Sequence, residues 1–164
     1  MDTQFSKAVQ ELAALLERQQ QVVAVAESCT GGWVAKVMTD MAGCSVWFDR
    51  GFVTYTNEAK HQMLGVSMRT IESFGAVSEE TVHEMALGVL NNSPARFSLA
   101  VSGIAGPSGA TEDKPVGTVW FGWATRNEQV VAECCCFKGD REAVRAQAVV
   151  FGLHRLIEIV AADQ

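Results

Sequence analysis

No stretch of this 164-residue chain approaches the roughly 20 apolar residues of a membrane span, so no transmembrane helix is expected. Positive charge is also scarce. Thirteen Lys and Arg face 19 Asp and Glu, a formal charge of −6 and a pI of about 5.0. Nucleic acids and anionic membrane surfaces are held through a basic footprint, so both are excluded as partners. The five cysteines are odd in number and show no C-x-x-C spacing. Three of them, Cys134 to Cys136, are consecutive, and a strand sends neighbours to opposite faces. Neither a zinc site nor a disulfide framework fits, which leaves reduced thiols and a cytoplasmic location as the expectation. The opening MDTQFSKAVQELAALLERQQQ has no basic start followed by an apolar core, so no secretory leader is expected there. Internal repeats, low-complexity segments and linkers are absent too. The expectation is one domain over residues 1–164, long enough to close a sizeable core.

What is present alternates between two periods. Phe5, Ala8, Val9, Leu12, Leu15 and Leu16 form a helical stripe over 3–20. Val22 to Ala26 is a short valine-rich run, the pattern of a strand buried on both faces. A second helical pattern runs from Thr30 to Met41, and a second strand from Val46 to Thr56 with Gly51 marking a bulge or a close backbone approach. Helices are expected over Glu58–Leu64 and from Ser78, as the cap, to Leu90. Phe97–Val101 reads as a strand, and Thr118–Thr125 with Val130–Phe137 as a hairpin. A long helix capped by Asp140 closes the chain. Interleaved helices and strands followed by a hairpin predict an α/β fold, a three-layer α/β/α sandwich. Its sheet is mixed, mostly parallel, with an antiparallel C-terminal hairpin.

In such sheets, sites form beyond the carboxyl ends of the strands. Three segments qualify: ESCTGG after the first strand, TYTNEAK after the second, and SGIAGPSG after the third. ESCTGG matches neither the nucleophile elbow nor the P-loop pattern. It is either a turn that caps a helix or a place where N–H groups meet an anion beside a nucleophile. A serine needs a base, and none of the three histidines (His61, His83, His154) falls on a strand-end loop. A desolvated lysine is the other option, and Lys60 follows the second strand closely, with Tyr55 five residues before it. SGIAGPSG is either a flexible loop or a nest of N–H groups for a polar ligand.

AESCTGG, GFVTYTNEAK, GAVSE, VSGIAGPSG followed by KPVGTVW, and GDREAVR occur here in one order. Together they resemble the CinA C-terminal-domain family, in its stand-alone nicotinamide-nucleotide amidohydrolase form, over essentially the whole chain. The resemblance implies hydrolysis of the carboxamide of nicotinamide mononucleotide (NMN) to nicotinate mononucleotide and ammonia, without metal or other cofactor. It implies Ser28 as nucleophile, Lys60 as base and Tyr55 beside them, each matched by motif. Given that chemistry, Tyr55 is expected to orient Lys60 or relay its proton, and the N–H groups from Thr30 to Gly31 and Gly32 to stabilise the oxyanion. Cys29 is expected to point into packing. For the phosphate, Ser102, Gly103 and Gly106 offer backbone donors, and Arg141 and Arg145 share a helical face unless they merely pair with Glu142. Two other readings stay open: an amidase for a different small carboxamide, and a non-catalytic competence- or damage-related ligand-binding module. The apolar hairpin from Val119 to Phe137, with Trp120 and Trp123, points to a homodimer or higher homo-oligomer unless a helix of the same chain covers it.

Overall fold

In a computed structural model describing residues 2–163, six helices and five strands form three layers. The order is α1 (Thr3–Gln19), β1 (Val23–Glu27), α2 (Trp33–Thr39), β2 (Phe48–Val53), α3 (Asn57–Leu64), α4 (Met68–Phe74), α5 (Glu79–Asn91), β3 (Phe97–Gly103), β4 (Thr118–Thr125), β5 (Val131–Cys136) and α6 (Arg141–Ala162). The sheet order is β2-β1-β3-β4-β5. β1 pairs in parallel with β2 and β3, whereas β4 is antiparallel to both β3 and β5. β4 is thus the single reversed strand, and the mixed sheet matches the expected fold class.

The two faces of the sheet are built from different residues. Val23 and Val25, Phe97, Leu99 and Val101, and Val119, Phe121 and Trp123 pack beneath α1, α2 and α6. Ala24, Ala26, Ala100 and Ala124 face α5 with Val82, Met85, Ala86 and Val89. Small residues let α5 approach closely: a Cβ at Gly122 would lie 2.5 Å from the Val82 carbonyl oxygen. All five residues of β1 are buried, as a strand covered on both faces requires.

Several local expectations hold at the level of single hydrogen bonds. Ser78 Oγ accepts from the Thr81 N–H, and Asp140 caps α6 by accepting from the Ala143 N–H. Gly51 is a close approach, since a Cβ there would meet Ala35 and Val25 at 3.3 Å. The register shift itself falls earlier, where Ala24 pairs with Arg50 directly after Val23 pairs with Phe48. Two differences stand out. Cys44–Val46 is a 3₁₀ turn rather than the start of β2, and α4 is a helix that its short MRTIESF pattern did not announce, ended by Gly75 at φ +87°.

The hairpin's apolar side chains are covered by the same chain. Phe121 and Trp123 stack at 5.6 Å and meet Phe151 of α6, and the Trp123 indole N–H donates to the Gly152 carbonyl. The surplus of apolar surface that suggested a partner is therefore absent from β4. Cys134, Cys136 and Val131 remain exposed on the edge strand β5. Among the described residues no helix is long and apolar enough to cross a membrane.

Candidate active site

Parallel pairing brings the carboxyl ends of β1, β2 and β3 level. Glu27 lies opposite Val53 and Val101, and the ladders run one step further. The Ser28 N–H donates to the Val101 carbonyl and the Thr54 N–H to the Glu27 carbonyl. Ser28 therefore leaves the sheet beside the end of β2. There Thr56 caps α3 by accepting from the Ala59 N–H. Helical side chains tilt back toward the helix N-terminus, so Lys60 in α3 returns over the end of β2.

The Lys60 side chain is 1% exposed. Its Nζ donates to the carbonyl oxygens of Thr54 at 2.9 Å and Tyr55 at 3.2 Å, and lies 3.0 Å from Ser28 Oγ. Among the described residues no carboxylate pairs with the ammonium. Burial lowers its pKa from 10.5 to about 8. That is the direction desolvation imposes on a cation, and it makes the neutral amine accessible near neutral pH. Neutral lysine has two hydrogens and one lone pair. With the two carbonyls as acceptors for those hydrogens, the neutral amine can turn its lone pair to the serine hydroxyl, which itself donates to the Tyr55 carbonyl at 3.4 Å. Cys29 is different: its thiol is buried in the core and pushed up to about 11 by desolvation, so it is a poor source of thiolate.

The turn holding Ser28 is fastened from two sides. Glu27, buried at the end of β1, accepts from the N–H groups of Val34 and Ala35 at 2.8 and 3.0 Å and so anchors α2. From the other side, Arg145 of α6 donates to the carbonyls of Cys29 at 2.9 Å and Thr30 at 3.2 Å. Its guanidinium lies over the Trp33 ring, 5.5 Å from the centroid. Gly31 and Gly32 adopt φ values of +59° and +102°, which favours glycine at both positions.

A crevice of about 300 Å³ opens in front of Ser28, lined also by Lys60, Tyr55, Ala76, Val77, Arg141 and the loop from Gly103 to Gly109. The expected residues divide. Ser28, Lys60, Tyr55, Ser102, Gly103, Gly106 and Arg141 meet at the crevice; Thr30, Gly31, Gly32 and Arg145 do not line it. Tyr55 holds Lys60 through its backbone carbonyl, while its phenol turns outward, 56% exposed as a residue. The phenolic oxygen accepts from Arg141 at 3.0 Å, and Arg141 also donates to the Gly106 carbonyl at 2.7 Å. The Ser102 hydroxyl is spent on the Ala76 carbonyl, and a Cβ at Gly103 would lie 2.6 Å from Val119, so this glycine serves packing. The N–H groups of Gly31 and Trp33 are committed to the carbonyls of Ser28 and Thr30. Glu27 had no assigned role in the sequence reading. Its signal was a lone carboxylate ending a wholly apolar strand, six residues before a helix. Among the described residues, no cluster of three or more His, Cys, Asp and Glu could hold a metal ion.

An α/β sheet with a buried serine–lysine pair at its carboxyl edge is a defined class of site, and the comparisons place it in a family. The model of the CinA C-terminal domain matches residues 5–160. The chain belongs to the CinA C-terminal-domain family. It is 59% identical over 143 residues to the nicotinamide-nucleotide amidohydrolase PncC of Enterobacter agglomerans, covering 87% of each. To the protein of the same name from Escherichia coli K12 it is 51% identical over 155 residues, covering 94% of each. Among solved structures, the competence/damage inducible protein CihA from Agrobacterium tumefaciens superposes with a TM-score of 0.94 at 40% identity, covering 97% of both chains.

Proposed function

We propose that the protein hydrolyses the carboxamide of NMN to nicotinate mononucleotide and ammonia. The observation that carries this reading is the buried Lys60 amine 3.0 Å from Ser28 Oγ, with two carbonyls to hold its hydrogens. The relatives named as nicotinamide-nucleotide amidohydrolases supply the substrate. Ser28 Oγ attacks the carboxamide carbon and its proton passes to Lys60 Nζ, giving a tetrahedral oxyanion. Lys60 returns that proton to the amide nitrogen, the C–N bond breaks, and ammonia leaves an ester on Ser28. Water then attacks the ester, Lys60 takes its proton, and collapse returns the proton to Ser28 Oγ with release of the carboxylic acid.

Arg141, at the crevice mouth, is assigned to the substrate phosphate, together with the loop N–H groups around Gly106 to Gly109. Those amides donate to no protein carbonyl. Tyr55, held by Arg141, forms the adjoining wall. Five free cysteines support a reducing, cytoplasmic setting. A homo-oligomer paired through the β5 edge remains part of this reading, and a mass of one 17.7 kDa chain by light scattering would refute it.

The test is ammonia release from NMN by the purified protein with EDTA present. Steady release from NMN and little from free nicotinamide is the expected result. Release from nicotinamide alone would favour an amidase of another substrate, and no release from either would leave a non-catalytic ligand-binding module.

A further inference from the structure

The oxyanion formed in that reaction needs a donor, and the turn narrows the choice. The Gly31 and Trp33 amides are committed within the turn, and neither Thr30 nor Gly32 lines the crevice. Among the described residues the Cys29 N–H, next after the nucleophile, donates to no other residue, and Cys29 lines the crevice. Its direction is fixed at a distance. In a planar trans peptide the C=O and N–H of one unit point in opposite directions. Arg145 holds the Thr30 carbonyl. The N–H of that same peptide unit, belonging to Gly31, donates to the Ser28 carbonyl at 3.0 Å. The N–H of the Ser28–Cys29 unit is thereby turned the opposite way. Hydrogen bonds in series also polarise one another, so a guanidinium at the head of the chain strengthens the last donor.

We infer that Arg145 is a positioning residue for catalysis: through two peptide units it aims the Cys29 N–H at the developing oxyanion. It is not a contact for the substrate's phosphate. Its second hydrogen bond, to the Cys29 carbonyl, and its seat over Trp33 fix the guanidinium itself. A Cβ at Gly31 would come within 3.4 Å of that guanidinium. Gly31 is thus held to glycine by its close neighbour as well as by its backbone angle.

This inference rests on the amidohydrolase reading, so the test has two arms. In the first, kcat and KM for NMN are measured across pH for Arg145→Ala and Arg145→Lys, with melting curves. Loss of one oxyanion donor costs on the order of 10²-fold in rate. A kcat loss of about that size is expected for Arg145→Ala, with KM and the pH midpoint unchanged. Arg145→Lys, which supplies a point charge without the fork, should recover part of the rate. In the second arm, a fluorophosphonate labels Ser28 with loss of fluoride. Its phosphoryl oxygen uses the same donor, and no NMN is involved. Labelling should slow by a similar factor in Arg145→Ala. The inference is overturned by a raised KM with kcat preserved, which marks a substrate contact. It is also overturned by a moved pH midpoint, which marks an effect on Lys60, or by equal labelling of variant and parent. Should Arg145→Ala fail to fold, Arg145→Lys decides, and parental kcat and labelling in that variant sink the idea. Failure of the wild type to hydrolyse NMN while labelling still depends on Arg145 would refute the substrate and leave the positioning role standing.

Discussion

The two walls of the crevice are built on opposite plans. The turn from Ser28 to Gly32 is five residues long, and charge fastens it on both sides: buried Glu27 to α2, and half-buried Arg145 to two carbonyls. The facing loop runs from Ile104 to Gly117, between β3 and β4, and its ties cluster at its two ends and at Gly106 and Lys114. The Ile104 N–H reaches the Thr118 carbonyl, the Gly117 N–H reaches the Ile104 carbonyl, the Phe137 N–H reaches the Gly117 carbonyl, Arg141 donates to the Gly106 carbonyl at 2.7 Å, and Lys114 Nζ donates to the Phe74 carbonyl at 2.8 Å. The contrast follows what each wall must do. A nucleophile and its oxyanion donor must be placed to a fraction of an ångström. A wall that closes on a flexible, phosphate-bearing ligand has to yield. If this division is real, changes to the turn fall on kcat and changes to the loop fall on KM.

The sharpest break comes from the pair itself. Ser28→Ala and Lys60→Ala should each lower kcat by roughly 10⁴-fold or more, and the double variant should lose little beyond either single one, because residues acting as a unit are not additive. Steady-state ammonia release at saturating NMN measures both. A double variant far below the singles would mean the two act separately.

Lys60 also ties catalysis to stability. Its amine has a pKa near 8 in the folded protein against an ordinary 10.5. Below about pH 8 both folded and unfolded chains hold the proton, and the cost of burying the charge stands in full. Between 8 and 10.5 the folded state has released the proton that the unfolded chain retains, so stability rises with pH across that window. The shift corresponds to about 3 kcal/mol. Lys60→Met should therefore be more stable than the parent at pH 7 and lose the alkaline rise in denaturation midpoint. In the parent, kcat/KM for NMN should climb tenfold per pH unit below about 8 and level off above it. A flat stability profile in the parent would show that Lys60 is not desolvated as its burial requires.

The smallest effects test the two walls directly. Glu27→Gln leaves one of two α2 amides without its acceptor, at about 1–2 kcal/mol, and should reduce kcat with little change in KM. Lys114→Ala removes an exposed tie worth less than about 1 kcal/mol and should raise KM with kcat preserved. Exchanged patterns, with Glu27→Gln acting on KM or Lys114→Ala on kcat, would erase the distinction between the walls.

Much of this was legible beforehand for identifiable reasons. Strands buried on both faces and helices with a 3.6-residue stripe announce themselves, and so did β1, α1 and the Asp140 cap of α6. The strand-end rule put ESCTGG, TYTNEAK and SGIAGPSG on one edge, and the structure brings all three to the crevice. What stayed hidden depends on which way a group faces. Periodicity cannot say that Arg141 meets the crevice while Arg145, one helical turn on, reaches behind the turn to two carbonyls. Nor can it say that the Tyr55 carbonyl accepts from Lys60 while its phenol meets Arg141. The short α4 was missed because seven residues between Ser67 and Gly75 carry too little pattern to distinguish a helix from a loop.

The reversal of β4 has a consequence for how this site could change. Because β4 runs back along β3, both ends of the 104–117 loop sit at the same rim of the sheet, and none of its length is needed to cross a layer. Residues inserted in its exposed middle, 107–113, would displace no strand and disturb neither hydrophobic face. Closure entropy would resist them only weakly, at about 0.6 kcal/mol for each doubling of loop length. On the proposed function, the fold keeps its nucleophile on a closely held segment and its ligand-facing wall on one that is cheap to lengthen. New substrate preferences can be written into that wall without rewriting the chemistry.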